Sequence, residues 1–136
     1  MRIYLRALEI EDYKSIYKWR NDPFLTRYLA GNVFFVSSER EKKSIESKIS
    51  DDSKDVYLGI CHTESEKLIG YASINNIDLR NLKAEWGGTL IGEKELLGKG
   101  FGKEASACVL RFLFDQYPVQ KCYACCLEEH PATNEL

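Results

Sequence analysis

The sequence predicts an α/β domain, a mixed central sheet flanked by helices, on three observations. Residues 1–7 alternate apolar and polar, and three more strand-like runs follow as a meander over 56–91. A glycine-rich corner, Gly98-Lys99-Gly100-Phe101-Gly102, then turns the last of those runs into a helix-like stretch over 103–116. A further strand-like run at 121–127 comes after that helix, so the helix is a crossover and the new strand lies parallel to its predecessor.

Each element has a local reason. Ile3, Leu5 and Ala7 alternate with Arg2, Tyr4 and Arg6, the period of a strand. Residues 9–20 shift to helical spacing, with Tyr13, Ile16, Tyr17 and Arg20 on one side. Asp22-Pro23 stops that helix, because the residue before proline disfavours the helical region. Residues 25–36 are irregular and aromatic, either a lid or a packed loop. Ser38-Glu39-Arg40-Glu41 reads as a capping box opening a helix that carries Ile45 and Ile49, its lysines and glutamates forming a solvated face. After the polar break at 51–55, runs at 56–62 and 67–77 are joined by a hairpin-sized loop, and 83–91 completes the meander. Along the long helix Ala105, Cys108, Val109, Phe112 and Leu113 form a wide apolar stripe, as a helix packed on a sheet requires. Residues 128–136 read as the start of another helix.

The glycine corner is the feature with chemical consequence. Glycine permits tight turns and close backbone approach, and a helix starting there aims unpaired N–H groups at one point. Such a corner suits phosphate or another anion, and Lys99 and Lys103 add positive charge. It fails as a P-loop, since Gly100 follows Lys99 where a hydroxyl residue is required. Gly100 to Ala105 fits the relaxed dinucleotide pattern G-x-G-x-x-A. The acidic residue expected about 20 positions on is missing, however, and the upstream chain is a meander, not a βαβ unit.

At 136 residues the chain is read as a single domain over 1–136. A formal net charge of −2 argues against general nucleic-acid binding. No apolar run approaches the roughly 18 residues of a membrane span, and the N-terminus has no signal-peptide pattern. The five cysteines, Cys61, Cys108, Cys122, Cys125 and Cys126, are odd in number and fit a reducing cytoplasm. Cys122 and Cys125 form C-x-x-C, but on a strand they face opposite sides, so no metal site is expected.

The loop 97–102 resembles the acetyl-CoA loop of the GNAT N-acyltransferases, Q/R-x-x-G-x-G/A, with Leu97 in place of the usual Gln or Arg. The resemblance extends to Trp19-Arg20-Asn21-Asp22-Pro23, to Ala84-Glu85-Trp86-Gly87 and to Glu129-His130-Pro131-Ala132-Thr133. Within the superfamily these segments are similar to the RimJ/RimL type and to the amino-sugar-nucleotide N-acetyltransferases of the pseudaminic-acid type. The resemblance implies an acetyl-CoA-dependent transferase acting on a small-molecule or peptide primary amine, with no metal, membrane or nucleic-acid partner. It also implies a GNAT-like fold lacking its last helix and two C-terminal strands. The strand edge so exposed would be covered by self-association or a partner's strand.

Under that resemblance the CoA diphosphate rests on the amides of Gly98, Lys99, Gly100, Phe101, Gly102 and Lys103. Leu90 and Ile91 offer main-chain groups to the pantetheine arm, and His130 and Asn134 lie near it. Glu85 is the candidate base that neutralises the amine, with Asp78 second. The need for a base depends on the acceptor. A protein α-amino group has a pKa near about 8, whereas lysine near about 10.4 is almost wholly protonated at neutral pH. Two outcomes are open, an active N-acetyltransferase or a catalytically weak CoA-binding module.

Overall fold

A computed structural model describes residues 2–25, 35–51 and 53–123. Among them five strands form one sheet in the order β1-β2-β3-β4-β5. β1 (Ile3–Ala7), β2 (Val56–His62), β3 (Leu68–Asp78) and β4 (Lys83–Ile91) pair antiparallel in succession. β5 (Lys121–Tyr123) pairs parallel to β4, in the register Lys83–Lys121, Ala84–Cys122 and Glu85–Tyr123. The mixed sheet is therefore as expected, and residues 124–136, with Cys125, Cys126, His130 and Asn134, lie outside the described residues.

Helices cover both faces. α3 (Phe101–Gln116) packs Phe101, Ala105, Val109 and Leu113 on Ile3, Leu58, Ile60, Ala72, Ile74 and Ala84. α1 (Tyr13–Arg20) and α2 (Ser38–Ser50) cover the other face, where Leu8, Ile16, Trp19, Ile45, Cys61 and Leu68 form a second, smaller core.

Four local expectations are corrected. The helical run over 9–20 opens as a 3₁₀ turn at Ile10–Asp12, because the Asp12 carboxylate reaches back to accept the Glu9 N–H at 2.8 Å. α2 is capped one residue earlier than the pattern indicated: Ser37 Oγ, not Ser38, accepts the Arg40 N–H at 3.1 Å. Glu41 is then no part of a solvated face but wholly buried, paired with Arg20 of α1, while Ile49 is exposed. α3 begins at Phe101, two residues before the expected Lys103, because Gly100 at φ 86° makes the turn that starts it.

Candidate active site

The loop from β4 to α3 is built by backbone. Gly92 N–H donates to Ile69 O at 2.7 Å, a 3₁₀ turn follows at Lys94–Leu96, and Gly98 and Gly100 take φ values of 77° and 86°. Both lie in the left-handed region that glycine tolerates without strain. The first bond of α3 runs from Glu104 N–H to Gly100 O at 3.0 Å, and no side chain caps the helix. The N–H groups of Phe101, Gly102 and Lys103 precede that first bond, so they lack intrahelical partners and share the positive end of the helix dipole. Lys99 and Lys103 are exposed beside them, whereas the Phe101 ring is core and offers the loop only its main chain.

The neighbouring edge of β4 is open among the described residues. β5 pairs with β4 only as far as Glu85, so residues 86–91 have no strand partner on that side among the described residues. The Gly92 to Ile69 bond sets the alternation of the ladder: Leu90 directs its amide toward β3, and Thr89 and Ile91 direct theirs toward the open edge. A bulge lies midway along this edge, where the register shifts between Ser73 and Ile74 and passes from Gly88 to Trp86. A Cβ on Gly87 would come within 2.0 Å of Ser73 Oγ, which is why glycine stands there. Gly88, at φ 108°, has open space where a side chain would be. Bulges bend a strand and re-aim the side chains beyond the bend.

Ala84 belongs to the core under α3, so its neighbour Glu85 projects to the α1–α2 face, opposite Asn75. Glu85 Oε1 accepts from Asn76 Nδ2 at 2.9 Å, with Asn76 held at φ 50°. Asn75 Oδ1 is buried without a hydrogen-bond partner among the described residues. Further along the same face Trp19 stacks parallel to Tyr71, ring centroids 6.4 Å apart, and lies so close to Gly92 that a Cβ there would meet the indole at 2.1 Å. Burial pushes the Tyr71 hydroxyl up to about 12, so it remains protonated at neutral pH. Asp78 sits in the β3–β4 turn instead, where its carboxylate accepts from Asn81 Nδ2 and from the Arg80 and Asn81 amides; those bonds, the Asn81 side chain's first, hold it below the usual carboxylate range.

A glycine loop opening a helix, a strand edge without a partner among the described residues and a carboxylate on the opposite face thus meet around one strand. A family model, the acetyltransferase (GNAT) domain, matches residues 2–136. The chain belongs to the GNAT acetyltransferase family. It is 31% identical over 105 residues to the uncharacterized N-acetyltransferase p20 of Bacillus licheniformis, a match covering 76% of this chain and 58% of that protein, so it spans under two thirds of that relative. Among solved structures, the GNAT fold here is similar to spermidine N-acetyltransferase from Vibrio cholerae, in complex with CoA and spermine: TM-score 0.84, 23% identity, 98% of this chain and 76% of that one. It is also similar to the Salmonella typhimurium acetyltransferase that modifies the N-terminal serine of ribosomal protein L7/L12: TM-score 0.80, 17% identity, 98% and 76% coverage.

Of the residues singled out in the sequence, the GNAT fold gathers Gly98 to Lys103 on the loop and the first turn of α3, Ile91 on the strand feeding it, and Glu85 at that strand's far end; Leu90, expected to offer outward main-chain groups, spends them on β3 instead. Arg2, Asn75, Asn76 and Thr89 join this neighbourhood unannounced by any local pattern. Only the consecutive Gly87-Gly88 hinted at the bulge.

Proposed function

We propose that this domain transfers an acetyl group from acetyl-CoA to a primary amine by direct attack in a ternary complex. The observation that carries this reading is the adjacency of the Gly98–Lys103 amides to the edge of β4 that has no strand partner among the described residues. The CoA diphosphate would rest on those amides. The pantetheine arm would lie along β4 as an added strand, using the outward main-chain groups of Thr89 and Ile91 while those of Leu90 stay with β3. Bound there, acetyl-CoA supplies an activated acyl thioester.

The protein's own contribution is placement, worth up to roughly 7–11 kcal/mol when the reacting groups are well aligned. An outward N–H of β4 beyond the bulge is suited to the charge developing on the carbonyl oxygen. Glu85 takes the proton of the acceptor ammonium, directly or through one water, and its bond from Asn76 fixes one oxygen while leaving the other for that task. The amine nitrogen then bonds the carbonyl carbon, the C–S bond breaks, and the CoA thiolate leaves as the thiol with the second amine proton. Asn75 Oδ1, buried and unpartnered among the described residues, is an acceptor suited to an amine N–H.

We assign the acceptor to a protein N-terminus, as for the RimJ/RimL type, or an amino-sugar nucleotide, as for the pseudaminic-acid type, on the Trp19-Arg20-Asn21-Asp22-Pro23 segment and its place at the exit of α1. We assign the domain to the cytoplasm, supported by its five cysteines, an odd number in no disulfide-rich spacing. The test is thiol release from acetyl-CoA with a panel of peptide N-termini, amino-sugar nucleotides and polyamines. Acetylation of a peptide or amino-sugar nucleotide is the expected result. Preference for polyamines would overturn the acceptor assignment, and CoA binding without turnover on any amine would leave a binding module.

A further inference from the structure

Arg2, immediately before β1, reaches the glycine loop from almost the opposite end of the chain. Its own backbone is held in the sheet, the Arg2 carbonyl accepting the Thr63 N–H at 2.8 Å. From there the side chain makes three contacts around the start of α3. Nε donates to Glu104 Oε2 at 2.9 Å, Nη1 donates to the carbonyl of Lys99 at 3.0 Å, and the guanidinium lies 4.1 Å over the Phe101 ring. The Arg2 N–H adds a bond to Glu104 Oε1 at 3.2 Å. An ideal Cβ on Gly100 would lie 3.4 Å from Nη2, so the fork also flanks the residue that caps the helix.

The bond to Lys99 has a consequence for anion binding. The Lys99–Gly100 peptide is trans, so its C=O and N–H point in opposite directions. Drawing the carbonyl to the guanidinium turns the Gly100 N–H to the far side, available to an anion, and removes an electronegative oxygen that would repel one. Glu104, one turn inside the helix, carries a charge that would also repel a diphosphate. Arg2 engages it with both backbone and side-chain donors, and its carboxyl is accordingly held below its ordinary range even though partial burial pushes the other way.

We propose that Arg2 is the positioning residue of the diphosphate loop: it sets the Lys99–Gly100 peptide with its amide outward and neutralises Glu104, so that CoA meets a preorganised ring of donors. This rests on the CoA-binding reading above. A rigid fork is needed, because two acceptors and a ring face are held at once; a lysine ammonium matches the charge but not that geometry.

The test compares wild type, Arg2→Ala and Arg2→Lys on two ligands, CoA by calorimetry and pantetheine, which has no phosphate, by NMR titration. The proposal expects the CoA dissociation constant to rise about tenfold in Arg2→Ala, with Arg2→Lys within threefold of that variant and pantetheine affinity within twofold of wild type in both. A general scaffolding role would weaken both ligands together. Equal losses on CoA and pantetheine, no loss on CoA, or full rescue by lysine would each overturn the role of Arg2 while wild-type binding leaves the CoA reading intact. Failure of the wild type to bind CoA would overturn that reading and this inference with it. If Arg2→Ala does not fold, Arg2→Lys alone decides by the same criteria.

Discussion

The two faces of the sheet are held by different means. Under α3 the packing is mainly apolar, from Ile3 and Ile74 to Val109 and Leu113, with one partly buried hydroxyl pair, Ser106 to Thr89 at 3.1 Å, and the CoA contacts proposed at its edge are main-chain amides. Over the other face a smaller apolar cluster is threaded by charge: Arg20 pairs with the wholly buried Glu41, and Arg6 grips Asp12 with two bonds of 2.8 and 2.9 Å. A site made of backbone depends less on its side chains, so Leu97 in place of the family's Gln or Arg removes a side-chain contact and no amide. A face made of long-range ion pairs depends on each partner. In the proposed reaction the first face receives the unvarying CoA and the second meets the amine.

This contrast predicts its largest effects in the two cores. Leu113→Ala is expected to lower stability by about 4 kcal/mol, from lost burial and the cavity left behind. Glu41→Ala is expected to cost about 3 kcal/mol, the lower end for a broken buried pair, because Arg20 is partly exposed and recovers water. Denaturant midpoints measure both. A cost for Glu41→Ala below about 1 kcal/mol would mean that the α1–α2 face does not rely on its ion pair.

Next in size comes Glu85→Gln, which should reduce kcat about a hundredfold, equivalent to about 2.7 kcal/mol, and leave acetyl-CoA affinity unchanged. A drop of less than twofold would return Glu85 to an ordinary strand residue bonded to Asn76.

The smallest effect expected is acid sensitivity at Asp12. Burial raises its carboxyl, but the Arg6 hydrogen bonds, the Glu9 amide and the Arg6 charge outweigh that and hold it below 3.8. A folded-state value lowered in this way adds stability above the unfolded value and loses it as pH falls through the folded one. Asp12→Asn should therefore cost about 1 kcal/mol at neutral pH, a difference that shrinks below about pH 4. Urea titrations at pH 7 and pH 2 check it, and an equal difference at both would contradict the assignment.

Most of the α3 half was legible in the sequence and much of the α1–α2 half was not. Strand alternation, the glycine corner and the apolar stripe of α3 are local patterns, readable because neighbouring residues carry them. Glu41 read as solvent-facing because its partner, Arg20, lies 21 positions away on another helix. Arg2 is separated from Glu104 by 102 positions, a distance at which no periodicity speaks. The cap of α2 slipped by one because Ser37 and Ser38 both satisfy the composition, and only backbone geometry chooses between them. The place of Glu85 on its strand was legible, but Asn76, whose left-handed backbone brings its amide to Glu85, could not be foreseen from an ordinary asparagine in a strand.

The central claim is that CoA is bound by the backbone of the β4–α3 loop. Its most direct test is calorimetric titration of acetyl-CoA into the wild type and into a Gly100→Asp, Gly102→Asp double variant. Gly100 holds φ 86°, and aspartate at either position places a negative charge among the amides. Micromolar binding by the wild type, weakened more than a hundredfold in the double variant, is the result expected. Unchanged binding in the variant would move the CoA site away from this loop, and no binding by the wild type would contradict the account at its root.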